Sequence, residues 1–214
     1  MAAQVDGATH PDFESRALRG NVAWADFGKM GLSQAILNAS QYAPRGECVF
    51  RGLPFRIGAR PVVVREGSRA RKVSLPGCRA QWLVFAHVSD VSPGGQDAHG
   101  FTRHSTGEGH LAEPAADYVM VYADGTEERV TVRRRHQLGA VQPRWGENCV
   151  EAVAHTKPAP IRQEQQSAAV WGWTQRRVST NDRPRWTNWL WAWENPHPRK
   201  AIVAGDDNRH AWID

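Results

Sequence analysis

The apolar positions of this chain fall into short runs of strand length, each cut by glycine, proline, asparagine or aspartate. Residues 48–57 (CVFRGLPFRI) hold two apolar pieces split by Gly52 and Pro54. PVVVRE (61–66) and RKVSL (71–75) follow, with a Gly-Ser turn between them. QWLVFAHV (81–88) is continuously apolar, the pattern of a strand buried on both faces. The clearest local signal lies in residues 117–134, where two Val- and Tyr-rich runs flank Asp124-Gly125. That dipeptide accepts the positive φ angles of a tight hairpin, so 118–123 is expected to pair with 127–133. Further strand-like runs are 149–156 (CVEAVAHT), 167–175 (SAAVWGWTQ) and 186–194 (WTNWLWAWE). Only 29–38 (KMGLSQAILN) reads as helix, and most prolines sit between the strands, where their missing N–H costs no ladder bond. The pattern predicts an all-β chain: an antiparallel β-sandwich or jelly roll with little helix. Residues 1–20 read as a flexible arm and 21–214 as one β-sandwich domain. A long loop, 89–116, separates two central strands and carries His99, His104 and His110 with Asp97 and Glu108 nearby.

A length of 214 residues with 41% hydrophobic and 23% charged positions suits one domain with its own core. No apolar run reaches membrane-spanning length, and the first twenty residues contain no signal-peptide pattern. No membrane partner is therefore expected, and an extracellular or periplasmic location follows only if the chain is a fragment of a secreted protein. Cys48, Cys78 and Cys149 lack a CxxC spacing, which argues against a disulfide framework and a cysteine zinc site. The net charge is +5, and lysine stands only at Lys29, Lys72, Lys157 and Lys200, so arginine dominates the basic residues. Arginine binds carboxylate or sulfate through a planar fork, so an anionic partner is chemically reasonable; a codon bias toward arginine explains the same excess. The basic residues are scattered, and no RNP, KH or zinc-finger pattern occurs, so no nucleic-acid partner is expected.

Four phrases, in order, resemble a known family. Residues 50–57 (FRGLPFRI) are similar to a G-[ILV]-P-F-x-[IVL] phrase, and 81–87 (QWLVFAH) resembles the L-x-F-L-H strand that comes after it. Residues 118–126 (YVMVYADGT) resemble a Y-x-V-x-Y-x-D-G hairpin, and 193–202 (WENPHPRKAI) resembles W-x-N-P-x-P-x-K-x-I. Over residues 22–204 this order resembles the galactose-binding-like β-sandwich modules attached to bacterial carbohydrate-active enzymes. The resemblance implies a jelly-roll accessory module without catalysis, a carbohydrate ligand, and a catalytic domain of a parent protein as partner. Modules of this type often carry calcium, for which Asp206, Asp207 and Asn208 offer oxygen ligands; no other cofactor is implied.

Tryptophan carries the candidate site. Trp189, Trp191 and Trp193 alternate with Leu190 and Ala192, so the three indoles share one strand face; Trp171 and Trp173 alternate around Gly172 in the same way. Paired, the two strands would crowd their indoles on one sheet face. A pyranose stacks its C–H face on an indole, and Arg176, Arg177, Asn188 and Glu194 can meet the hydroxyls. The candidate ligand-binding set is therefore Trp171, Trp173, Trp189, Trp191, Arg176 and Asn188, and the arginine excess favours acidic glycans. The same spacing also suits a core in which each indole buries on the order of 200 Å². No GxSxG, Walker or HExxH motif occurs, so no catalytic and no metal residue is assigned. Two other functions stay open. One is a glycoside hydrolase or lyase that draws on the 89–116 loop and on Glu108, Asp117, Glu147 or Glu194. The other is a structural interaction domain.

Overall fold

A computed structural model describes residues 5–16, 18–65, 71–73, 75, 77–90, 111–143, 148–156, 185–203 and 211–213. Within them the fold is mostly antiparallel β. The strands are β1 (Gly46–Phe50), β2 (Leu53–Ile57), β3 (Arg71–Val73), β4 (Trp82–His87), β5 (Pro114–Val121), β6 (Glu127–Arg133), β7 (Ala152–Ala154), β8 (Trp189–Glu194) and β9 (Ala211–Ile213). They form a β1-β2 hairpin, a sheet of order β3-β9-β5-β6 and a sheet of order β4-β8-β7. A 3₁₀ helix (Trp24–Met30) and α1 (Gln34–Ala39) precede them, with Ser33 capping α1 by accepting from the Ile36 N–H. No helix among the described residues is long and apolar enough to cross a membrane. The expected strand at 167–175 and most of the 89–116 loop lie outside the described residues.

Both hairpins follow their turn chemistry. Phe50 pairs with Leu53, so Arg51 and Gly52 form a two-residue loop, both with positive φ (53° and 81°). The Asp6 carboxylate accepts from both of their N–H groups, and Val5 bridges Val49, so this N-terminal stretch lies against β1. In the second hairpin the strands pair from Val121↔Glu127 back to Pro114↔Arg133. The Tyr122 N–H donates to the Thr126 oxygen (2.9 Å) and the Gly125 N–H to the Tyr122 oxygen (2.9 Å). Only Gly125 takes a positive φ there (83°), so the loop is a three-residue turn ending in a glycine bulge. Ala123, expected in the strand, therefore belongs to the turn, and β5 extends back to Pro114 instead.

PVVVRE does not form a strand: 61–65 has no regular structure. Pro61 has no N–H to give, and its carbonyl oxygen is met by the Val22 N–H, while the Asn21 side chain exchanges two bonds with Val63. A side-chain amide thus takes the place of a neighbouring strand.

Strand alternation sorts β8 between two cores. Trp189 and Trp191 pack with Val132, Leu138 and Ala152, joined by Phe85, Tyr118 and the half-buried Trp193. Leu190 points the other way, onto Cys48 and Phe50 of the β1-β2 hairpin. The β4-β8-β7 sheet is therefore covered on one face by β5 and β6 and on the other by the first hairpin. β4 follows suit, with Phe85 in the first cluster and Val84 and Ala86 against the second, but Trp82 is exposed and the other five residues are half-buried, short of the strand buried on both faces that the continuous apolar run predicts.

Gly139 sits where the Trp189 indole crosses the chain. A Cβ on it would lie 2.3 Å from Trp189 Cε2, and the same indole donates its Nε1–H to the Ala140 oxygen. Gly139→Ala must displace a buried ring, and a loss of about 2 kcal/mol or more is expected in chemical denaturation. An unchanged midpoint would mean that the ring is not held there.

Candidate functional site

A cleft of about 1480 Å³ runs along β4, with β2 on one side and the start of β5 on the other. Its floor is aromatic. Phe85 and His87 stack on Trp191, with ring centroids 5.4 and 6.1 Å away, and Tyr118 closes on Phe85 at 5.2 Å. The imidazole of His87 and the hydroxyl of Tyr118 are matched within this stack. His87 Nε2 lies 2.7 Å from the Gln137 carbonyl oxygen, which can only accept, so Nε2 carries the proton. Nδ1 is then the acceptor for the Tyr118 hydroxyl at 2.8 Å. Removal from water holds the imidazole down to about 4, against the weaker upward pull of the Gln137 carbonyl, and the same burial pushes the Tyr118 phenol up. Both groups are neutral at pH 7 and spent on each other, which makes the pair a polar pin in an aromatic core.

The rim of the cleft differs. Trp82 stands at the start of β4, paired across the ladder with Glu194 of β8, and leaves 42% of its surface to solvent. Glu194 is exposed, as are Gln81 and Arg79 just before the strand. One buried side chain holds this corner. Asn195 is 2% exposed; its Nδ2 donates to the Ala80 oxygen (2.8 Å) and its N–H to the Gln81 oxygen (2.8 Å). Its Oδ1 accepts from the Tyr122 hydroxyl (2.6 Å) and from the His197 N–H (2.9 Å). Two strands and the 196–198 turn are thereby fixed around Trp82 and Glu194.

Of the expected binding residues, the three that the structure describes, Trp189, Trp191 and Asn188, are buried. Trp189 and Trp191 are 3% and 4% exposed within the aromatic core, and a sugar ring has no access to their faces. Asn188 is buried and accepts the Trp186 indole N–H (2.8 Å), while its own N–H donates to His155 Nδ1 (3.0 Å). Trp171, Trp173 and Arg176 lie outside the described residues, as do His99, His104, His110, Glu108, Glu147, Asp206, Asp207 and Asn208. Of the considered carboxylates, Asp117 is taken up by Thr131 (2.7 Å) and Arg129 (3.0 Å), which hold it below the usual carboxylate range. Glu194 remains exposed, beside Trp82. Among the described residues no three His, Cys, Asp or Glu side chains converge as a metal site. The cysteines form no disulfide, and burial pushes the Cys149 thiol up to about 12, far from a nucleophilic thiolate.

The sequence pattern passed over Trp82 because it opens an apolar run that reads as fully buried. Its signal was position: a tryptophan at a strand end, after a polar residue, projects past whatever covers the strand centre. Comparison with family models, with curated proteins and with solved structures returns no match for this chain.

Proposed function

We propose that this chain is a non-catalytic carbohydrate-binding or scaffolding module, built as a β-sandwich of the galactose-binding-like, jelly-roll kind. The sandwich reading is supported by the aromatic cluster that β5 and β6 share with β4, β7 and β8. The binding reading is carried by the exposed indole of Trp82 opposite Glu194 on the cleft rim. An exposed indole beside a carboxylate suits a pyranose, whose C–H face stacks on the ring while its hydroxyls donate to the acid. As an accessory module it serves a glycan-active catalytic domain of a parent protein, in an extracellular or periplasmic setting where that parent is secreted.

The test is tryptophan fluorescence of the full chain, titrated with a panel of neutral and acidic oligosaccharides. Dissociation constants in the millimolar to micromolar range are expected, because a sugar offers few atoms and many hydroxyls to desolvate. Trp82→Ala should weaken binding about tenfold or more while leaving the melting temperature nearly unchanged, since its side chain belongs to no buried cluster. Silence across the panel would remove the binding reading and leave the module a scaffold.

A further inference from the structure

The cleft is rich in arginine, and most of its guanidinium groups are already engaged. Arg16 is paired with Glu14 (2.7 Å), Arg56 with Glu47, and Arg134 with Glu113 (3.5 Å). Arg60 is drawn back onto the chain, giving Nε and Nη2 to the carbonyl oxygens of Gly20 and Asn21. Arg79 is held differently. Its Nε donates to the Arg199 carbonyl oxygen at 3.0 Å, which fixes the root of the guanidinium. Among the described residues its two Nη groups meet no carboxylate, and the side chain is exposed on the cleft. It stands three positions before Trp82, on a stretch that is bolted at both ends. Cys78 exchanges two backbone bonds with Ile202 (3.0 and 2.8 Å), and Asn195 takes the carbonyls of Ala80 and Gln81.

A guanidinium anchored through Nε keeps its full charge and presents a planar pair of Nη groups. That fork matches the two oxygens of a carboxylate and supplies two parallel hydrogen bonds. The geometry points to Arg79 as the reader of a uronate: an acidic sugar residue stacked on Trp82 places its carboxylate on the Arg79 Nη groups, with its hydroxyls toward Glu194 and Gln81. Glu194 sharpens the choice. A second carboxylate presented on its side would be repelled, so the acidic group must lie toward Arg79. This inference rests on the carbohydrate-binding reading and adds the residue that reads the ligand's charge and the ligand's orientation.

The experiment titrates the full chain with short oligouronates, each matched with the neutral oligosaccharide made by reducing its carboxyl groups. Trp82→Ala and Arg79→Gln variants of confirmed melting temperature are run alongside. An acidic member is expected to bind about tenfold more tightly than its reduced partner at low salt. Arg79→Gln should bring that ratio close to one, and added salt should lower it in the unaltered protein. Equal binding of both partners, or a preference that survives Arg79→Gln, overturns the role of Arg79 while the carbohydrate-binding reading stands. Loss of every response, neutral and acidic alike, overturns both.

Discussion

Acidification from pH 7 to pH 4 is expected to cost the folded chain several kcal/mol, with most of the loss between pH 6.5 and 4. Two shielded imidazoles cause it. His87 is held neutral between the Tyr118 hydroxyl and the Gln137 carbonyl, and burial lowers it to about 4. His155 is 2% exposed against Phe50, accepts the Asn188 N–H, and is likewise lowered to about 4, chiefly by burial. Arg51 and Asp6 lie near His155 and act on it in opposite directions. In the unfolded chain both rings titrate near 6.5. Below that pH the unfolded state takes up protons that the folded state refuses, so stability falls as pH falls. Each ring contributes on the order of 3 kcal/mol over its window, which is a large share of an ordinary domain's total. Below pH 4 the lowered carboxyl groups of Asp117 and Asp124 add their own loss. Denaturant midpoints across this range check the sign. A flat profile from pH 7 to 4.5 would mean that neither ring is shielded.

Replacing Asn195 by leucine is expected to destabilise the protein by about 3 kcal/mol or more. The side chain makes three of the four hydrogen bonds of its residue, to Ala80, Tyr122 and His197, and all are lost together. The Tyr122 hydroxyl belongs to a residue with no exposed surface, so it keeps no partner and cannot reach water. Thermal unfolding measures the cost. Since Asn195 also fixes the 79–82 stretch, glycan binding should weaken in the same variant even where it remains folded. A variant with wild-type stability would show that the corner is held by other means.

Strand alternation made the composition of β8 legible: Trp189, Trp191 and Trp193 share a face, and Leu190 takes the other. Alternation says which residues keep company and nothing about what covers them. Here the covering came from the β5-β6 hairpin, and the partners of β8 proved to be β4 and β7, with Phe85 and Ala152 flanking Trp191 in the ladder. A run that is apolar throughout announces a strand, yet hides the residue at its end that escapes cover, and Trp82 is that residue. Turn chemistry was more informative. Asp124-Gly125 closed the expected hairpin, though with a bulge and only one positive φ, while the break at Gly52 proved to be a second hairpin turn that was not expected. Asn195 was visible within its Asn-Pro phrase, but a staple is defined by groups far along the chain, such as the Ala80 carbonyl and the Tyr122 hydroxyl. Short β9 left no apolar run of its own and was not foreseen.

That last strand has a consequence for how the molecule is made. β9 lies between β3 and β5, pairing Arg71 with Ile213 and Tyr118 with the same Ile213. Among the described residues it is the only link between β3 and the rest of its sheet. The contact joins segments more than half the chain apart, so the entropy of closing that loop must be spent before any ladder bond rewards it. While a ribosome is still adding these residues, β3 and the inner edge of β5 are unsatisfied templates for any passing strand. Completion of the sheet thus waits until β9 has been made, and the interval before it is when the nascent protein is most open to mispairing.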